Sequence, residues 1–117
     1  MNHKTELGKS GENIVAQKLK KDGFAILNQN YRRRFGEIDI IATKDDLLIF
    51  VEVKMRKNPL FDLAYLIGPS KQKKIISVAK EYLARYDHYG KVCRFDVALI
   101  EGTPDNYNLR YYENAFC

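Results

Sequence analysis

The stretch Gly36–Arg56, GEIDIIATKDDLLIFVEVKMR, decides how the rest of the chain is read. Glu37 and Asp39 alternate with Ile38 and Ile40, the period-2 pattern of a strand. After the turn residues Lys44-Asp45-Asp46, the apolar run Leu47-Leu48-Ile49-Phe50-Val51 leads into Glu52-Val53-Lys54. If Asp45-Asp46 is a two-residue loop, antiparallel pairing sets Lys44 opposite Leu47. Counting outward, Asp39 then faces Glu52 and Glu37 faces Lys54. Each same-strand pair is two residues apart, so all four side chains share one face.

Directly opposed Cβ atoms lie about 4.5–5.5 Å apart, and like charges in that arrangement are destabilising. A divalent cation gripped by both carboxylates offsets the repulsion. Mg²⁺ takes hard oxygen ligands, often one or two carboxylates together with waters and substrate phosphate. Asp39 and Glu52 are therefore the expected ligands of Mg²⁺ or Mn²⁺. Lys54 beside the ion would orient a water or neutralise a developing oxyanion. Charges at a strand end are often merely solvated, but here two acids and a lysine match in register on otherwise apolar strands.

Asp39, followed after a turn by Glu52-Val53-Lys54, resembles the metal-binding motif of the PD-(D/E)XK nuclease superfamily, which includes restriction endonucleases and archaeal Holliday-junction resolvases. Ile38 stands where the superfamily motif has its proline. More closely, the chain is similar to the YraN-like family of small bacterial proteins. The matching pieces are Gly11-Glu12, Asn30-Tyr31-Arg32, Gly36-Glu37-Ile38-Asp39, Phe50 to Lys54, Lys71-Gln72 and Arg94-Phe95-Asp96-Val97, in the family's order. The resemblance implies a restriction-endonuclease-like fold and a metal site.

At 117 residues the chain suits a single domain, 1–117, with one core. A formal charge of +5 points to a polyanionic partner. No apolar run approaches the roughly 18 residues of a membrane span, and MNHKTELGKSGEN carries no hydrophobic signal region. Cys93 and Cys117 make neither a disulfide framework nor a zinc cluster, so a cytoplasmic setting is expected, with Cys93 as a packing residue.

A first helix is predicted from about Thr5 to Lys21, stopped by Gly23. Its apolar stripe of Val15, Ala16 and Leu19 extends back to Glu12 and Gly8. Glu12 is either a solvated acid favoured by the helix dipole or, as the resemblance to resolvase-like nucleases implies, a contributor to the metal site. Gly23–Leu27 is read as the first strand. Tyr31-Arg32-Arg33-Arg34-Phe35 follows, a basic run between aromatics just before the carboxylate hairpin. Arginine forks suit phosphate, and aromatics stack on unpaired bases.

Leu60–Ile67 reads as a short helix or a packed loop, ended by Gly68-Pro69. Ser70 is the expected N-cap of a second helix, Lys71 to about Tyr86, with Ile75, Ile76, Ala79, Tyr82 and Leu83 on its apolar face. Lys71 would take phosphate and Gln72 would support the metal's water shell. Val92–Ile100 and Asn108–Tyr112 are the remaining strands, the last residues fraying, with Arg94 and Asp96 as structural partners.

The expected architecture is α/β in the order α-β-β-β-α-β-β. An antiparallel meander is joined through a helical crossover to a parallel strand, in a mixed sheet flanked by helices. The expected function is metal-dependent hydrolysis of phosphodiester bonds in DNA, in branched or damaged structures. Asp39 and Glu52 would hold the metal, Lys54, Glu12, Glu37 and Gln72 would serve catalysis, and Arg32, Arg33, Arg34, Arg56 and Lys71 would grip the backbone. Resolvase-like action would want a homodimer. The competing reading is a nucleic-acid-binding accessory module on the same scaffold, with little or no catalysis.

Overall fold

Gly36–Arg56 forms the predicted hairpin and lies in the middle of a five-stranded sheet. The structure, a computed structural model, describes residues 6–57 and 67–116. Its elements are α1 (Glu6–Lys21), β1 (Ala25–Arg33), β2 (Gly36–Lys44), β3 (Leu47–Arg56), α2 (Pro69–Arg85), β4 (Val92–Thr103) and β5 (Asn106–Phe116). This is the expected α-β-β-β-α-β-β order, and the strands lie side by side in sequence order. β1, β2 and β3 form an antiparallel meander. β3 and β4 run parallel from Leu47↔Val92 to Arg56↔Glu101, and β5 closes the sheet antiparallel to β4.

Helices cover both faces of the central strands, which is why β2 and β3 read as nearly continuous apolar runs. α1 lays Val15, Ala16 and Leu19 on Ile40, Ala42, Ile49, Val51 and Val53. Gly11 lets it approach closely: a Cβ there would stand 3.0 Å from that of Met55. On the opposite face α2 lays Ile75, Val78, Ala79 and Tyr82 on Tyr31, Ile41, Leu48 and Phe50. The buried stripe of α2 is thus rotated from the predicted one. Val78 is central, Ile76 is half-buried and Leu83 is exposed.

α1 ends as predicted. Gly23 takes φ 97°, and the Gly23 and Phe24 N–H groups donate to Lys20 O and Leu19 O, closing the helix with a left-handed cap. Thr5 and residues 58–66, on which the start of the first helix and most of the predicted second segment fall, lie outside the described residues. Ser70 is not the cap of α2. Gly68 holds that position, Pro69 takes the first helical place that its fixed φ suits, and Ser70 lies inside the first turn.

Three strands outrun their expected ends. β1 reaches Arg33, passing a bulge between Ile26 and Asn28, and β4 reaches Thr103. β5 does not fray after Tyr112 but continues to Phe116. A bulge in β4 between Phe95 and Val97 surrounds Asp96, which is buried and fully engaged. Arg94 donates to both of its oxygens, Tyr111 Oη donates at 2.6 Å, and the Asn114 N–H donates at 3.0 Å. Arg94 and Asp96 are the structural partners expected of them. Cys93 is exposed and therefore not a packing residue. Among the described residues no helix is long and apolar enough to cross a membrane.

Candidate metal centre

The hairpin ladder follows the counted register, Lys44↔Leu47 through Ile40↔Val51, and then stops. Beyond that point β2 stays with β1 as far as Gly36, while β3 stays with β4 as far as Arg56. The sheet forks, and Asp39 and Glu52 stand at the first positions past the split. Asp39 holds the fork by accepting a hydrogen bond on Oδ2 from the Val53 N–H at 2.8 Å, a side chain replacing a ladder carbonyl. The regular alternation of β2 breaks here: Ile40 packs on the α1 side, whereas Ile38 packs on the α2 side. Asn30, flanked by residues paired to Ile40 and Ile38, takes φ 55° opposite the break.

Both acids are nearly sealed, Asp39 at 2% and Glu52 at 4% exposure. They border a cleft of about 170 Å³ together with Gly36, Glu37, Lys54, Lys71, Lys74 and Ile75. Burial pushes the Glu52 carboxyl up to about 8, helped by its hydrogen bond with Asp39 and by the charge of that neighbour. Two ammonium groups answer the negative charge. Lys71 Nζ lies 2.5 Å from Glu52 Oε2, and Lys54 Nζ lies 3.7 Å from the same oxygen. Burial drives the Lys54 pKa below its usual value against the pull of Glu52. For Lys71 burial acts in the same sense, but the charge and hydrogen bond of Glu52 outweigh it and its pKa is raised.

The other predicted residues divide. Glu12 is buried, not solvated, and lines a second cleft of about 280 Å³ on the α1 side with Val53, Met55 and Arg56. Lys54 borders both clefts, whereas Glu12 lines only the one on the α1 side. Glu37 borders the carboxylate cleft, but with the ladder ended it is not held opposite Lys54, and it accepts from Arg32 Nε at 3.0 Å across the β1–β2 hairpin. Gln72 lines neither cleft; its amide donates to Ile67 O, closing the start of α2.

Arg33 is drawn away to α2, where it donates to Glu81 at 2.6 Å and to the Tyr31 hydroxyl. Arg34 is exposed at the hairpin tip, and Arg56 lines the Glu12 cleft. Sequence reasoning missed Lys74 in the carboxylate cleft, although it stands one helical turn from Lys71. It also missed Glu81 as an arginine anchor, for which the sequence holds no local signal.

Among the described residues no three His, Cys, Asp or Glu side chains group as a ligand set, so the fork offers a pair of carboxylates. Two hard anionic oxygen donors, crowded together and buried, match what Mg²⁺ or Mn²⁺ accepts when waters and phosphate complete the shell. A divalent cation between them would offset the repulsion that, together with burial, raises Glu52.

Among solved structures the fold is similar to that of Hjc, a Holliday junction resolvase from Archaeoglobus fulgidus. The TM-score is 0.55, with 21% identity over 87% of this chain and 72% of that one. The architecture is therefore restriction-endonuclease-like. UPF0102 proteins of Syntrophus aciditrophicus and Dictyoglomus turgidum are 41% and 42% identical, each over 99% of this chain and over 92% and 100% of their own lengths. One from Treponema pallidum is 44% identical over 87% of this chain and 82% of its own. Residues 11–100 match the sequence model of Uncharacterised protein family UPF0102, and the chain belongs to that family, the YraN-like proteins.

Proposed function

We propose that this protein is a divalent-metal-dependent phosphodiesterase that cuts DNA in the cytoplasm, with branched or damaged structures as its substrates. The observation that carries this reading is the buried Asp39–Glu52 pair at the sheet fork, with Lys54 beside it. Asp39 and Glu52 hold Mg²⁺ or Mn²⁺. The bound ion would lower the pKa of a coordinated water and neutralise charge on the scissile phosphate. Lys54, anchored on β3, aligns the attacking water and stabilises charge gathering on the phosphoryl oxygens. Glu12 approaches from the α1 side as a further acidic group. Lys71 and Lys74 on α2, Arg34 at the hairpin tip and Arg56 contact the backbone phosphates without reading sequence. Acting on two strands of a branched substrate calls for two such sites, hence a homodimer.

The test is to offer the purified protein, with Mn²⁺, nicked, flapped and four-way-branched DNA alongside RNA. Cleavage of one of the DNA structures, lost in Asp39→Ala and reduced at least a hundredfold in Lys54→Ala, supports the reading; cleavage of none of them refutes it. A second reading, a nucleic-acid-binding module without catalysis, draws on the grouping of only two carboxylates among the described residues. Under that reading Asp39→Ala strengthens DNA binding by removing negative charge, and metal has no effect on the DNA.

A further inference from the structure

Glu52 is matched by two lysines of unlike exposure. Lys54 projects from β3 with a side chain 20% exposed, held between two clefts. Lys71 reaches down from the first turn of α2 with a side chain 38% exposed, and makes the closer contact, 2.5 Å. That first turn holds no acidic residue and carries Lys71, with Lys73 and Lys74 in the next turn, and the helix dipole opposes a lysine there unless an anion faces it. Glu52 is that anion for Lys71. Lys74 lines the same cleft but makes no ion pair with Glu52.

We propose that Lys71 is a tethered counter-cation that couples the two ligands of the site. In the metal-free protein its ammonium occupies the cation position on Glu52. When a divalent ion seats between Asp39 and Glu52, Lys71 is displaced towards the cleft mouth, where it meets a phosphate of the substrate. Lys71 is a positioning residue, and this inference rests on the metal-dependent reading above. The physical reason is repulsion. An ammonium and a divalent ion crowded onto one carboxylate repel each other, and the lysine stem is long enough to leave while its backbone stays in the helix. Metal entry therefore frees a phosphate-binding group, and by linkage phosphate binding at Lys71 favours metal entry by the same factor.

Two variants and one footprint test this. Lys71→Met and Lys74→Met remove the same charge from the same cleft, but only the first removes the contact with Glu52. Calorimetric titration with Mn²⁺ is expected to show about tenfold tighter binding for Lys71→Met and less than about twofold change for Lys74→Met. With DNA in EDTA the pattern reverses. Lys71→Met loses little affinity because its ammonium was already occupied, whereas Lys74→Met binds severalfold more weakly.

In the wild type, acylation of Lys71 read by mass spectrometry rises severalfold when Mn²⁺ is added, while that of exposed Lys73 stays level. This arm needs no variant, and Lys71→Gln stands in should the methionine variant fold poorly. Equal Mn²⁺ affinities for wild type and Lys71→Met, equal effects of the two variants, or an unchanged footprint overturns the coupling and leaves the metal-dependent reading in place. Failure of both wild type and Lys71→Met to bind Mn²⁺ overturns both.

Discussion

Glu52→Gln replaces a buried carboxyl by an amide of the same shape, and its effect on stability changes with pH. The carboxyl moves from its ordinary value of 4.5 to about 8 in the metal-free fold. Its folded pKa is raised, so its contribution is intact below 4.5, declines as pH rises, and is fully lost above about 8. At pH 7 the ionised unfolded chain holds an advantage of roughly 3 kcal/mol at this site, and above pH 8 roughly 4–5 kcal/mol. Glutamine carries no such penalty. It gives up the ion pair with Lys71, but that lysine is 38% exposed and returns to water at small cost.

The substitution is therefore expected to change stability little at pH 5 and to stabilise the metal-free protein by about 2–4 kcal/mol at pH 9. The thermal midpoint would rise by roughly 4 °C for each kcal/mol. Urea unfolding in EDTA at pH 5, 7 and 9, with the slope m checked for constancy, measures it. The same variant loses Mn²⁺ binding. Parallel stability–pH curves for the two proteins, or a variant less stable at pH 9, would refute the account of a crowded, desolvated acid pair.

Two further outcomes follow from the same geometry. Arg34→Ala should weaken DNA binding and lower the salt slope by about one, whereas Arg33→Ala should leave that slope unchanged and destabilise the fold, since its partners are Glu81 and Tyr31. Arg94→Ala strips the buried Asp96 of its bidentate partner and should cost about 3–5 kcal/mol in urea unfolding, with Mn²⁺ affinity within twofold of wild type.

The hairpin register could be read from the sequence because two local rules agree on it. Alternation fixes the faces, and a two-residue Asp45-Asp46 loop, with Asp45 at φ 54°, fixes the pairing. The burial of Glu12 was half-legible, as the last position of a stripe. The fork was not legible. It depends on one Asp39 oxygen taking the Val53 N–H, and neither alternation nor propensity distinguishes a carboxylate that faces a ligand from one that also caps a strand. The full lengths of β1 and β5 were not legible either, because Asn30 and Asn114 take left-handed φ inside them, at 55° and 53°, and let the strands continue past. Arg33 looked like its neighbours Arg32 and Arg34. What separates it is Glu81, 48 residues away on the crossover helix, a pairing that only the tertiary fold creates.

Why the acids sit at the fork and not farther back in the ladder follows from access. One pair earlier, at Ile40↔Val51, α1 covers the strands, and both residues are 0% exposed. An ion there would have to shed its waters and would find no path for a phosphate. One step later the strands part, a cleft opens between β2 and the start of α2, and room remains for water and phosphate oxygens. Mg²⁺ loses its waters reluctantly, so a site that supplies only two carboxylates and leaves the remaining positions open suits it better than a closed cage. The splay itself sacrifices ladder hydrogen bonds, and Asp39 recovers one of them with its side chain. The same carboxylate thus holds the strands apart and supplies half of the negative charge. An Asp39→Asn exchange that kept the fork through its amide oxygen while losing the metal would separate these two roles.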